Sequence, residues 1–128
     1  MGEELQTYFN KLLTRIDGLK AVTVTDGDGV ILIKSVSNDV SPRVLEPALS
    51  TTFSVVSDQA SKLGLKKNKS IVSLFGLFQI VQFNHTPLIT TLVADSGSNT
   101  GVLLDLGNEL KEVTDIIASA LSERQVIV

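Results

Sequence analysis

The stretch "SIVSLFGLFQIVQFNHTPLITTLVA", Ser70 to Ala94, runs for twenty-five residues without an Asp, Glu, Lys or Arg, in a chain of which 20% is charged. A membrane helix needs about twenty consecutive apolar residues, and this run is interrupted by Ser73, Gly76, Gln79, Gln82, Asn84, His85 and Pro87. The pieces between the breakers have strand length instead: Ser70 to Phe75, Leu77 to Phe83 and Leu88 to Ala94, parted by turn signals at Gly76 and at Asn84 to Pro87. Three such strands in succession predict an antiparallel meander. Both alternating faces are largely apolar, so the sheet is expected to be covered on both sides.

Outward from the meander, Leu5, Phe9, Leu12, Leu13 and Ile16 repeat at helical spacing until Asp17-Gly18 stops them. Two β-branched runs follow, Leu19 to Thr25 and Gly29 to Ser35, joined by "DGDG" at 26–29. Asp-Gly between such runs is a hairpin signal. Read as a calcium loop it fails, because Val30 stands where a third ligand belongs and no glutamate closes the loop. A polar connection, 38–43, leads into an expected middle helix with Leu45, Leu49, Phe53, Val56, Ala60 and Leu63 on one stripe, ended by Gly64. The last helix, from Thr100, carries Leu103, Leu106, Leu110, Val113, Ile117 and Leu121, with Ser98 and Asn99 as candidate caps.

The middle helix is unusual on its reverse side. Ser50, Ser54, Ser57 and Ser61 recur at spacings of four, three and four, and only Glu46, Asp58 and Lys62 are charged between Val44 and Leu65. Such a strip lets another backbone approach closely, which predicts a partner on that side; a serine face in water is the alternative. The meander adds a second candidate contact, since Ser70, Ile71, Val72, Ser73, Leu74 and Phe75 form an uncharged strand free of proline, and such an edge is a template for pairing. Lys66, Lys67 and Lys69 make a basic corner beside it, where "GLKKNKS" lacks the second glycine of a phosphate-binding loop.

Composition narrows the function. A formal charge of −3 does not supply the basic field that nucleic-acid binding needs. With no cysteine, disulfide frameworks, thiolate metal sites and cysteine nucleophiles are excluded together. The N-terminal MGEELQTYFN has no signal-peptide pattern, and Gln6 stands where a myristoylation motif wants Ser or Thr. His85 is the single histidine and falls in an expected turn as a solvent-facing polar residue; no G-x-S-x-G elbow occurs. No catalytic residue, metal or cofactor is expected. A small-molecule-sensing domain of the same build is the alternative to an interaction module.

The element order, with "TDGDGV" after the first strand, "DQASKLGLKKNKSI" across Asp58 to Ile71, "QFNHTPL" across Gln82 to Leu88 and "SNTG" across Ser98 to Gly101, resembles the roadblock / dynein light chain family over nearly the whole chain. The resemblance implies one roadblock-like (profilin-like) domain over residues 1–128: a three-layer α/β/α arrangement, a central five-stranded antiparallel sheet, and the order α-β-β-α-β-β-β-α. It further implies a non-enzymatic scaffold that heterodimerises with a second roadblock-family subunit through the middle helix and the first meander strand. Within the family, the similarity to a late endosomal and lysosomal adaptor branch implies a larger complex with MEK and ERK kinases and Rag GTPases as partners, held to the membrane only through a separate lipidated subunit. A dynein cargo adaptor is the other branch the resemblance admits.

Overall fold

Leu5, Phe9 and Leu12 lie on one side of α1 (Gly2–Arg15), which has Glu3 and Glu4 in its first turn and Arg15 in its last, the charge order that complements a helix dipole. Five strands follow in a computed structural model that describes residues 2–26, 28–38, 40, 43 and 70–127: β1 (Leu19–Asp26), β2 (Ile31–Val36), β3 (Ser70–Phe75), β4 (Phe78–His85) and β5 (Leu88–Asp95). The chain then enters α2 (Thr100–Ile127). All neighbouring strands are antiparallel, in the order β2-β1-β5-β4-β3. The expected middle helix, with Ser50, Ser54, Ser57 and Ser61, lies outside the described residues.

The turns show why these residues stop and start strands. Asp26 Oδ1 accepts the backbone N–H of Asp28 and of Val30, at 2.9 and 3.0 Å, so its carboxylate serves the hairpin rather than an ion. Between β3 and β4 the turn is Gly76-Leu77, with Gly76 at φ 59°, the first-position glycine of a tight hairpin. Leu77, expected inside a strand, is therefore a turn residue and is exposed. A tight antiparallel hairpin needs two residues to reverse the chain, and Gly76 alone cannot do it.

The two described helices, α1 and α2, cover the same face of the sheet. Phe9 and Leu12 of α1 and Leu103, Leu106 and Leu110 of α2 meet Val22, Val24, Val81, Phe83 and Leu92 in one core. The helices are clamped to each other at the rim: Arg15 Nη2 donates to both carboxylate oxygens of Glu109, at 3.1 and 2.9 Å, and Tyr8 Oη donates to Oε2. Burial, and then the Glu109 carboxylate, push the Tyr8 phenol up to about 12. On the opposite face Ala21, Phe78, Ile80 and Val93 form a second buried cluster joined by Val36 and Val40. Burial on both faces is what the uncharged meander requires.

The start of α2 is fixed by a buried polar side chain. Gln79, 2% exposed, donates from Nε2 to the carbonyls of Asp95 and Ser98 and accepts from Thr100 Oγ1. Asn99 caps the helix by accepting the Val102 N–H, at 3.2 Å, in keeping with its reading as a candidate cap.

Candidate functional site

The two edges of the sheet differ. On β2, Ser37 N donates to Lys20 O, which makes Lys20 and Ser37 a hydrogen-bonded pair. Antiparallel pairs alternate, so the next residues of β2 that face β1 are Ser35 and Ile33, and the backbone groups of Lys34 point outward. That outward carbonyl is occupied: Gln6 Nε2 of α1 donates to Lys34 O at 3.0 Å. A register shift between Val24 and Thr25 also bends this edge. A side-chain cap, a lysine and a bulge are the usual means of blunting an edge.

Among the described residues the β3 edge, Ser70–Phe75, has none of these. Its backbone direction follows from Ser96 N donating to Leu77 O at 2.8 Å, which turns Leu77, Gln79, Val81, Phe83 and His85 toward β5. Phe78, Ile80 and Gln82 therefore turn toward β3, where they face Phe75, Ser73 and Ile71. The two-residue turn, closing on the Phe75–Phe78 pair, requires the same phase. By alternation the N–H and C=O groups of Ser70, Val72 and Leu74 point away from the sheet, and among the described residues no backbone group pairs with them.

Two side chains of this strand, Val72 and Leu74, are apolar and exposed to water. Val72 and Leu74 stand opposite Val81 and Gln79, hence on the helix-bearing face, yet are 45% and 76% exposed because α2 lies over β4 and β5 instead. Leu77 continues the patch at 74% exposure. Of the ten residues proposed for the interface, the structure thus brings Ser70, Ile71, Val72, Ser73, Leu74 and Phe75 together as one strand. Within it, alternate positions are divided between the chain's own ladder and the open edge. The four serines fall outside the described residues.

At the Ser70 end, His85 departs from its expected role. It is the last residue of β4, pairs with Leu88, and is 7% exposed. Its ring stacks on Phe83 with centroids 5.5 Å apart, and Nδ1 lies 2.8 Å from Thr90 Oγ1. Only Thr86 and Pro87 occupy the turn, joined to each other by a cis peptide bond. The alternation Gln79, Val81, Phe83, His85 was the signal that could have placed it on the core face.

Burial lowers the His85 pKa below 6.5, against an opposing contribution from its hydrogen bond to the Gly107 backbone. Above about pH 6.5 both folded and unfolded chains hold the neutral ring. As pH falls through 6.5 the unfolded chain takes up a proton that the folded chain resists, so stability declines until the depressed pKa is passed. Urea midpoints are expected to fall between pH 7.5 and 5.5, and to fall less in His85→Gln; equal slopes for the two proteins would refute the assignment.

Among the described residues no helix is long and apolar enough to cross a membrane. Comparison with known proteins agrees with an interaction module. The family model described as "Mitogen-activated protein kinase kinase 1 interacting" matches residues 3–121. The chain is 46% identical to the Ragulator complex protein LAMTOR3-A of Xenopus laevis over 110 residues, 86% of this chain and 89% of that one. It is 44% identical to LAMTOR3 of Mus musculus over 111 residues, with the same coverage. Among solved structures it resembles a Roadblock/LC7 domain from Streptomyces, TM-score 0.58 at 18% identity, covering 85% of this chain and 96% of that one. It also resembles MglB in a tetrameric arrangement, TM-score 0.60 at 17% identity, covering 84% and 82%.

Proposed function

The chain belongs to the family described as mitogen-activated protein kinase kinase 1 interacting, with a roadblock/LC7 fold, and from that membership we propose that it is a non-enzymatic scaffold subunit that works by pairing its β3 edge with a second roadblock-family subunit. The carrying observation is the asymmetry of the two edges: one is capped by Gln6, the other presents the outward groups of Ser70, Val72 and Leu74 beside an exposed apolar patch. An exposed uncharged edge is a liability in a free monomer and an asset in an obligate pair. The serine strip at Ser50, Ser54, Ser57 and Ser61 is the second contact in this proposal.

The wider setting follows the relatives, which are named as proteins of the Ragulator complex. In such an assembly the subunit sits on the late endosomal and lysosomal surface, attached through a lipidated partner. There it supports MEK and ERK signalling and the docking of Rag GTPases that recruit the mTOR kinase complex. Co-expression with each roadblock-family subunit of the same genome, followed by native mass spectrometry, tests the core of this proposal. A 1:1 heterodimer with one of them is the expected result. A chain that stays monomeric with all of them would overturn it.

A further inference from the structure

A cavity of about 530 Å³ opens between β3, the end of β4 and the flank of α2, with Ser70, Phe83, Leu104, Asp105, Asn108 and Lys111 among its walls. It lies on the helix-bearing face, immediately inside the open edge. A strand that pairs with β3 places the residue opposite Ser70 on this same face, with Cβ atoms about 4.5–5.5 Å apart, and diagonal neighbours remain within reach of long side chains. Serine is the small residue of the outward set Ser70, Val72 and Leu74, so the way into the cavity from a paired strand passes over it.

The walls specify what enters. Phe83 and Leu104 offer apolar surface to a stem. Asp105 makes no hydrogen bond or ion pair among the described residues, and Asn108 stands one helical turn beyond it. Lys111 is paired with Asp115 on the same helix, at 3.4 Å. Among the described residues of the rim, the unmatched charge is the Asp105 carboxylate. An acidic side chain would face it as a like charge, and a wholly apolar one would leave it partly desolvated without a donor.

We propose that this cavity receives a long basic side chain, arginine fitting best, from the partner strand, and so selects which roadblock subunit the edge accepts. A guanidinium can donate in parallel to a carboxylate while its stem covers apolar surface, and its planar fork also reaches an amide carbonyl such as that of Asn108. The inference rests on edge pairing through β3, and the test separates the two.

The probe is the heterodimer with the co-expressed roadblock-family subunit, its affinity measured by calorimetry. Asp105, Asn108 and Glu112 are all exposed on α2, so substitutions there leave the core untouched. Asp105→Lys and Asn108→Trp are expected to weaken pairing at least tenfold, whereas Glu112→Lys, off the cavity, leaves it within twofold. Replacing the partner's cavity-bound arginine by glutamate should restore affinity to Asp105→Lys. If both cavity variants bind like wild type while pairing is weakened in Val72→Pro, the edge reading stands and the cavity inference is overturned. Failure of every charge reversal on the partner edge to rescue Asp105→Lys overturns it as well. If Val72→Pro binds like wild type, both fall together.

Discussion

Val72→Pro is expected to weaken pairing with the partner about a hundredfold while leaving the chain folded, and Ser73→Pro, one residue on, to do the reverse and destabilise the chain itself. The difference is direction. The Val72 N–H points out of the open edge, so proline there removes a donor that the chain's own sheet does not use, and Ile71 before it is already extended as proline prefers. The partner strand, however, loses a ladder bond and is left with a carbonyl buried against a proline ring, together about 3 kcal/mol, or on the order of a hundredfold in affinity. Ser73 instead faces Ile80 and uses its N–H in the β3–β4 ladder. Losing that bond and leaving its carbonyl partner unsatisfied inside the sheet costs about 3 kcal/mol of the chain's own stability. Circular dichroism, urea midpoints and partner affinity of the two variants check this. A folded Val72→Pro with undiminished affinity would place the interface elsewhere, and equal unfolding by both variants would show the ladder phase to be wrong.

That phase was beyond the sequence for a definite reason. The uncharged run announces three strands and a covered sheet, and it announces an unblunted edge through Ser70 to Phe75. Which of those six residues turn outward depends on how many residues the turn consumes. Counting Leu77 into the strand leaves a one-residue turn and shifts every backbone group by one place, exchanging inner and outer sets. Gly76 marks the turn but not its length. The same off-by-one affected His85: a turn drawn from Asn84 to Pro87 puts it in solvent, whereas a turn of Thr86 and Pro87 makes it the last core-facing residue of β4. The protected edge was hidden differently. Gln6 reaches Lys34 across twenty-eight residues of sequence, and no local pattern connects a glutamine on a helix with a strand carbonyl. The hydrophobic stripes of the two described helices, by contrast, were readable because each needs only its own periodicity.

Gly107 carries the second large effect, and it sits where helix propensity and packing oppose each other. Gly107→Ala gains about 1 kcal/mol of helix propensity in the middle of α2. Yet a Cβ at this position would lie 2.1, 2.5 and 2.6 Å from three atoms of the Phe83 ring, far inside contact distance. One of two things must yield. If α2 lifts, it carries Leu103, Leu106 and Leu110, all buried, off the sheet. If the ring swings instead, it leaves its stack on His85 and moves toward the cavity beside Ser70. Overpacking of this kind costs about 1–3 kcal/mol, occasionally more, and the depth of overlap puts Gly107→Ala at the upper end, for a net loss of about 2 kcal/mol. Phe83→Leu in the same chain relieves the overlap, so the double variant should be more stable than the two single losses add up to. The route taken is visible in the partner assay. A ring displaced into the cavity fills the space assigned to the partner's basic side chain and weakens pairing along with stability, whereas a lifted helix leaves the β3 edge as it was. Gly107→Ala as stable as wild type in urea would mean that the close approach of α2 to Phe83 holds no part of the fold in place.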